Sequence, residues 1–125
     1  MKFWIQRWGP AVIMMALIFT ASSIPGSELP QLGFLDTLAK KGGHIIGYAL
    51  LAAAFLHAVG TGKRPRPIQA VTALCLTILY AVSDELHQGF TLGRTPSVRD
   101  VFIDALGGMI GIALWHAIRM RFMRR

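Results

Sequence analysis

From residue 42 to residue 62 the chain runs without a formal charge, and from 67 to 83 it does so again. Two further apolar stretches accompany them: 9–26 without its Pro-Gly end, led by 11–21, and 105–118. A helix crossing hydrocarbon needs roughly 20 mostly apolar residues, or about 17 at the low end. The first two runs qualify outright, and the other two qualify by extending into flanking polar residues. Lipid offers no partner to an open backbone, so such segments must be helical. The pattern predicts an all-α, four-helix transmembrane bundle with helices over about 8–22, 44–59, 68–84 and 98–118. Composition agrees: 15% of residues are charged, against about 25% in soluble domains. The 125 residues suffice for one domain spanning 1–125.

Between the first two spans, Leu32, Leu35, Leu38 and Ala39 share a helical face, with Asp36 and Lys40 off it. This predicts a short interfacial helix over 29–41, lying in the membrane surface. The alternative there is an irregular loop. An alternative also exists for the first apolar segment. Lys2 and Arg7, a short apolar core and then Thr20-Ala21-Ser22-Ser23 also suit a cleaved secretory signal. The single Cys75 can form no internal disulfide.

A net charge of +7 would suggest nucleic acid in a soluble protein. Here topology explains the positives better, and no nucleic-acid partner is expected. Lys2, Arg7, Lys63, Arg64, Arg66, Arg119, Arg121, Arg124 and Arg125 fall on one side of a four-helix array. Lys40, Lys41, Arg94 and Arg99 fall on the other. The nine-to-four split places both termini in the cytoplasm of a multi-pass cell-membrane protein.

The opposite side collects the chemistry. Four of the six acidic residues, Asp84, Glu85, Asp100 and Asp104, lie between 83 and 104, beside His87, Gln88, Arg94 and Arg99. Ionisable groups at a membrane helix end are costly, which makes them functional candidates. Arg94 can hold a phosphate or carboxylate in a bidentate fork, and the start of the fourth helix offers free N–H groups beyond it. The candidate ligand-binding set is Arg94, Asp84, Gln88, Ser97 and Asp100. His44 and Glu85 are the candidate proton-transfer pair. Each also has a structural reading. Ser97 and Asp100 fit a capping box, Asp84 or Glu85 can pair with Arg94, and His44 can bond a carboxylate. His44, Asp84, Glu85 and His87 are competent metal ligands. No His-Glu-x-x-His or cysteine pair is present, however, and neither a metal nor a cofactor is expected. On the fourth helix Gly107 and Gly111 form a small-xxx-small surface, expected to pack on the second helix through Gly47 and its alanines.

These residues together resemble the VanZ-like family of small membrane proteins. The resemblance is carried by Ser22-Ser23-Ile24-Pro25-Gly26, by Lys41-Gly42-Gly43-His44 with Tyr48, and by Asp84-Glu85-Leu86-His87-Gln88-Gly89-Phe90. Gly93-Arg94, Ser97, Asp100-Val101 and Gly107 with Gly111 continue it. Two positions depart: Lys40 stands where the family usually has Asp, and Asp104 where it usually has Asn. The resemblance implies an envelope protein, with a link to antibiotic resistance through teicoplanin, a glycopeptide, since the family's namesake is tied to it. Two further classes suit the residues. One is an enzyme acting on an anionic lipid or lipid-linked cell-wall precursor. The other is a non-catalytic membrane scaffold. Membrane lipid is the expected partner in every case, and no oligomeric state follows from the sequence.

Overall fold

The computed structural model describes residues 1–28, 33–60 and 65–123. They form four helices: α1 over Lys2–Ser22, α2 over Phe34–Val59, α3 over Pro67–Gln88 and α4 over Val98–Met123. A three-residue 3-10 turn, Gly26–Glu28, follows α1. All four helices are long and apolar enough to cross a membrane, and their outward faces remain apolar, with Ile13, Leu17, Leu50, Leu79 and Leu114 all more than half exposed. The chain is a multi-pass membrane protein built as an all-α bundle.

Every helix is longer than its apolar run. Charge ends the run before it ends the helix, because long polar side chains reach the interface while the backbone keeps its i→i−4 bonds. At the start of α1, Lys2 to Trp8 are already helical, so Pro10 lies inside the helix. The amide that Pro10 lacks would have met the carbonyl of Gln6. Pro67 occupies the first turn of α3, where a missing N–H costs nothing, and the Gln69 side chain accepts the Arg66 N–H at 2.8 Å.

Among the described residues, the surface helix expected over 29–41 is not a separate element. Residues 29–32 fall outside the described part, and Phe34–Lys41 form the opening turns of α2. Gly42-Gly43 does not interrupt them, because glycine weakens a helix without supplying a reason to end it.

α2 is the centre of the bundle and touches all three other helices. Its buried residues include Tyr48, Leu51, Ala52, Phe55 and Leu56. The broadest contact is with α4, and small residues make it. A Cβ on Gly107 would stand 2.6 Å from the Ile45 carbonyl oxygen, and one on Gly111 would stand 2.0 Å from that of Ala49. Gly107 and Gly111 therefore pack on α2 as expected. Gly47, however, faces α1, with Ile18 at 3.7 Å from where its Cβ would be.

Short connections make the helices antiparallel, so the end of α1, the start of α2, the end of α3 and the start of α4 share one end of the bundle. Two loops clasp there. The Gly26 N–H donates to the Leu92 carbonyl at 2.9 Å, and Gly93 adopts φ +73, which only glycine takes readily. The backbones meet closely enough that a Cβ on Gly26 would lie 2.2 Å from the Gly93 oxygen.

Candidate functional site

Asp84, one turn from the end of α3, is buried in the polar end of the bundle. Its Oδ2 accepts from Ser22 Oγ at 2.9 Å, Tyr48 OH at 3.1 Å and Gln88 Nε2 at 3.2 Å. These donors come from α1, α2 and α3, so one carboxylate oxygen joins three helices. The same Gln88 amide accepts from Arg94 Nη1 at 3.3 Å through its Oε1. Gln88 thus stands between a guanidinium and a carboxylate, and its two ends match them.

Arg94 holds the loops together. Its Nε donates to the Ile24 carbonyl at 3.2 Å and its Nη2 to that of Ala21 at 3.3 Å. The acceptors are two main-chain oxygens and an amide, so Arg94 closes the open C-terminal end of α1. It reaches Asp84 through Gln88 rather than by a direct ion pair. Three of its five N–H groups are engaged in these bonds, and the two left over are one on each terminal nitrogen.

Glu85, also buried, points the other way. Its Oε2 accepts the Ser97 N–H at 2.8 Å. The backbone amide at the head of α4 is therefore satisfied across the loop by Glu85, not by Asp100 within a capping box. On α4 the deepest charge is Asp104, with no exposed surface. Its Oδ1 lies 3.0 Å from His44 Nδ1 on α2. With the imidazole donating from Nδ1, Nε2 is the ring atom left for other partners. His87 sits on the α1 side instead, its Nε2 3.0 Å from Ser23 Oγ and its ring stacked on Phe19 at 4.3 Å.

Among the described residues, two cavities open at this end. One, of about 160 Å³, has walls from Thr37, Lys41, Gln88, Asp100 and Asp104, together with Lys40, His44 and Arg94. The other, of about 290 Å³, lies between α1 and α2 against Ile18, Ala21, Ile24, Gly47 and Tyr48, again with Lys40, His44 and Arg94. Of the residues singled out from sequence, the structure brings His44, Arg94, Gln88 and Asp100 to one cavity. It places Asp84 beneath them as the acceptor of the cluster. Glu85 and Ser97 line neither cavity and are joined to each other.

Three contributors stand outside the candidate set drawn from the sequence. Ser22, one of the residues that carry the family resemblance, donates to Asp84 across a separation of 62 positions. Tyr48 carries the resemblance too and donates to the same oxygen. Lys40, which departs from the family pattern, is ion-paired to Asp36 at 2.6 Å. Besides the resemblance, the signal for Tyr48 was its spacing from His44, which puts both on one side of α2. Three buried carboxylate oxygens, Asp84 Oδ1, Glu85 Oε1 and Asp104 Oδ2, meet no protein donor. They do not converge: among the described residues no group of three or more His, Cys, Asp or Glu is placed to hold a metal.

Neither a curated protein nor a solved structure matches the chain. The family model described as VanZ/LLP1 does, over residues 8–119. That stretch takes in all of α3, nearly all of α4, the clasped loops and every residue of the polar cluster. This chain is a member of the VanZ/LLP1 family.

Proposed function

We propose that this protein binds an anionic group at the polar end of its bundle and, through it, alters the cell envelope and its susceptibility to glycopeptides such as teicoplanin. The supporting observation is the shared wall of the two cavities, which consists of Lys40, His44 and Arg94. Three nitrogen side chains facing one space suit an anion, and Arg94 keeps unengaged N–H groups on both terminal nitrogens for a two-point contact. The Lys and Arg distribution supports a polar end that faces outward, with both termini cytoplasmic.

The test compares folded yield with teicoplanin susceptibility in cells expressing each variant. Arg94→Lys keeps the charge and loses the planar fork, so its effect should be partial. Arg94→Ala should give the full loss. Because Arg94 also holds α1, Lys41→Glu serves as the second variant. It places a negative charge in the cavity wall, and it should change susceptibility at normal yield. Parental susceptibility in a folded Lys41→Glu and a folded Arg94→Ala would defeat the reading.

A second reading, an enzyme acting on an anionic lipid or lipid-linked precursor, is favoured by one observation. A buried carboxylate orients His44 and leaves the other ring nitrogen for proton transfer. Glu85 fits that role less well, since it is engaged with the Ser97 amide. Under this reading His44→Gln weakens ligand binding only in part, since Arg94 and Lys40 remain, and loses turnover even at saturating ligand. Turnover of the folded variant at the parental rate would exclude it.

A further inference from the structure

The two cavities differ in character and share their cationic wall. On one side of Lys40, His44 and Arg94 lie Ile18, Ala21, Ile24 and Gly47, in a gap between α1 and α2. On the other lie Thr37, Gln88 and Asp100. An anion held at the wall has an apolar space on one hand and a polar one on the other. The apolar space, about 290 Å³, is close to the lower end of the usual range for small-molecule sites, about 300–1,000 Å³. It lies between two helices whose outer faces are apolar, so a chain can enter it sideways from the bilayer.

From this arrangement we infer a bipartite site for a membrane-borne amphiphile of one chemical class: a hydrocarbon chain joined through a phosphate to a polar head. The chain occupies the α1–α2 gap, the phosphate meets Arg94, Lys40 and His44, and the head group enters the polar cavity. The inference rests on the anion reading above and adds the two arms. A free anion would use only the wall and leave the apolar gap without a role. An uncharged amphiphile would make no use of the two unengaged N–H groups of Arg94, which suit a phosphate in a two-point contact.

The two arms are testable separately, because each has an exposed residue on the first turns of α2 that tolerates enlargement. Ala39 lines the apolar gap and Thr37 the polar cavity, and both side chains are exposed. The experiment uses the full chain in uncharged maltoside detergent. It titrates dodecyl phosphate, dodecyl phosphoglucose and inorganic phosphate, reading affinity and the shift in melting temperature. Dodecyl phosphate should bind at least about tenfold more tightly than inorganic phosphate. Ala39→Trp should weaken both dodecyl probes about tenfold and leave inorganic phosphate unchanged. Thr37→Trp should weaken dodecyl phosphoglucose alone, and Arg94→Ala should weaken all three. Equal affinity for dodecyl phosphate and inorganic phosphate, or indifference to Ala39→Trp, overturns the apolar arm while the anion site stands. Indifference of dodecyl phosphoglucose to Thr37→Trp overturns the polar arm. Failure of every phosphate probe to bind the folded parent overturns both the bipartite site and the anion reading beneath it.

Discussion

Asp84 concentrates the consequences of single substitutions at the polar end. Three side-chain donors converge on its Oδ2, and removing the acceptor leaves all three to be satisfied otherwise. Losing one donor is cheaper than losing the shared acceptor. Tyr48→Phe should destabilise the fold by about 0.5–1.5 kcal/mol, the usual net worth of a hydrogen bond, while Asp84→Ala should exceed that by leaving buried donors unpaired, at about 1–3 kcal/mol each. Equilibrium unfolding of the purified variants in detergent measures both. If Asp84→Ala proves no worse than Tyr48→Phe, the carboxylate is not the hub that its geometry makes it. Asp84 was legible as a candidate because a carboxylate at a membrane helix end is unusual. Ser22 and Tyr48 stood in the family's motifs, but their meeting with Asp84 was not legible, since nothing local in either segment marks a residue that will meet α3.

Between helices, glycine decides which contacts are possible, and its two roles here separate cleanly. Gly111 faces the Ala49 backbone so closely that any Cβ must displace it, and backbone does not yield as a flexible side chain does. Gly42, also helical, has nothing within 4 Å of its Cβ position. Gly111→Ala should therefore cost about 1–3 kcal/mol through overpacking, and Gly111→Leu should cut folded yield in the membrane. Gly42→Ala should stabilise by about 0.4–1 kcal/mol, because it restricts the unfolded chain at a compatible position. Opposite signs for the two alanine variants in one thermal-unfolding series are the expected outcome. A neutral Gly111→Ala would move α4 away from α2. The sequence singled out Gly107 and Gly111 by spacing alone. It misassigned the role of Gly47, because a glycine shows that something comes close without showing what.

The bundle as assembled makes one end chemically unlike the other. Arg7 closes the end of α2 at the termini, donating to the Ala58 carbonyl at 2.8 Å and to that of Gly60. The opposite end holds the carboxylate cluster and both cavities described above. The proposed orientation makes that end accessible from outside the cell. In a Cys75→Ser background, which removes the exposed native thiol, Thr91→Cys should react with an impermeant maleimide on intact cells. Pro65→Cys should react only after permeabilisation. The reverse pattern would invert the topology and turn the candidate site toward the cytoplasm. Tyr80 OH donates to the Met15 carbonyl at 2.6 Å, and Ser22 belongs to the Asp84 cluster, so α1 is tied to α3 at two depths.

The number of helices, their membrane character and the polar end were all readable from the chain, since each follows from how hydrocarbon treats charge and open backbone. Length and composition of an apolar run are local quantities, and so is the penalty for an ionisable group beside one. The family, too, could be read from motifs in order. Pairing could not be. His44 with Asp104, Glu85 with the Ser97 amide, and Arg94 with two carbonyls of α1 join residues far apart in sequence. Which carboxylate meets which donor depends on helix rotation about its own axis. That rotation is set by where Gly107 and Gly111 let α4 approach α2 and by the clasp of Gly26 on Gly93. A shift of one residue in either contact turns a helix by about 100°, since 3.6 residues make a turn. It would exchange the partners of the whole cluster while leaving every apolar run unchanged.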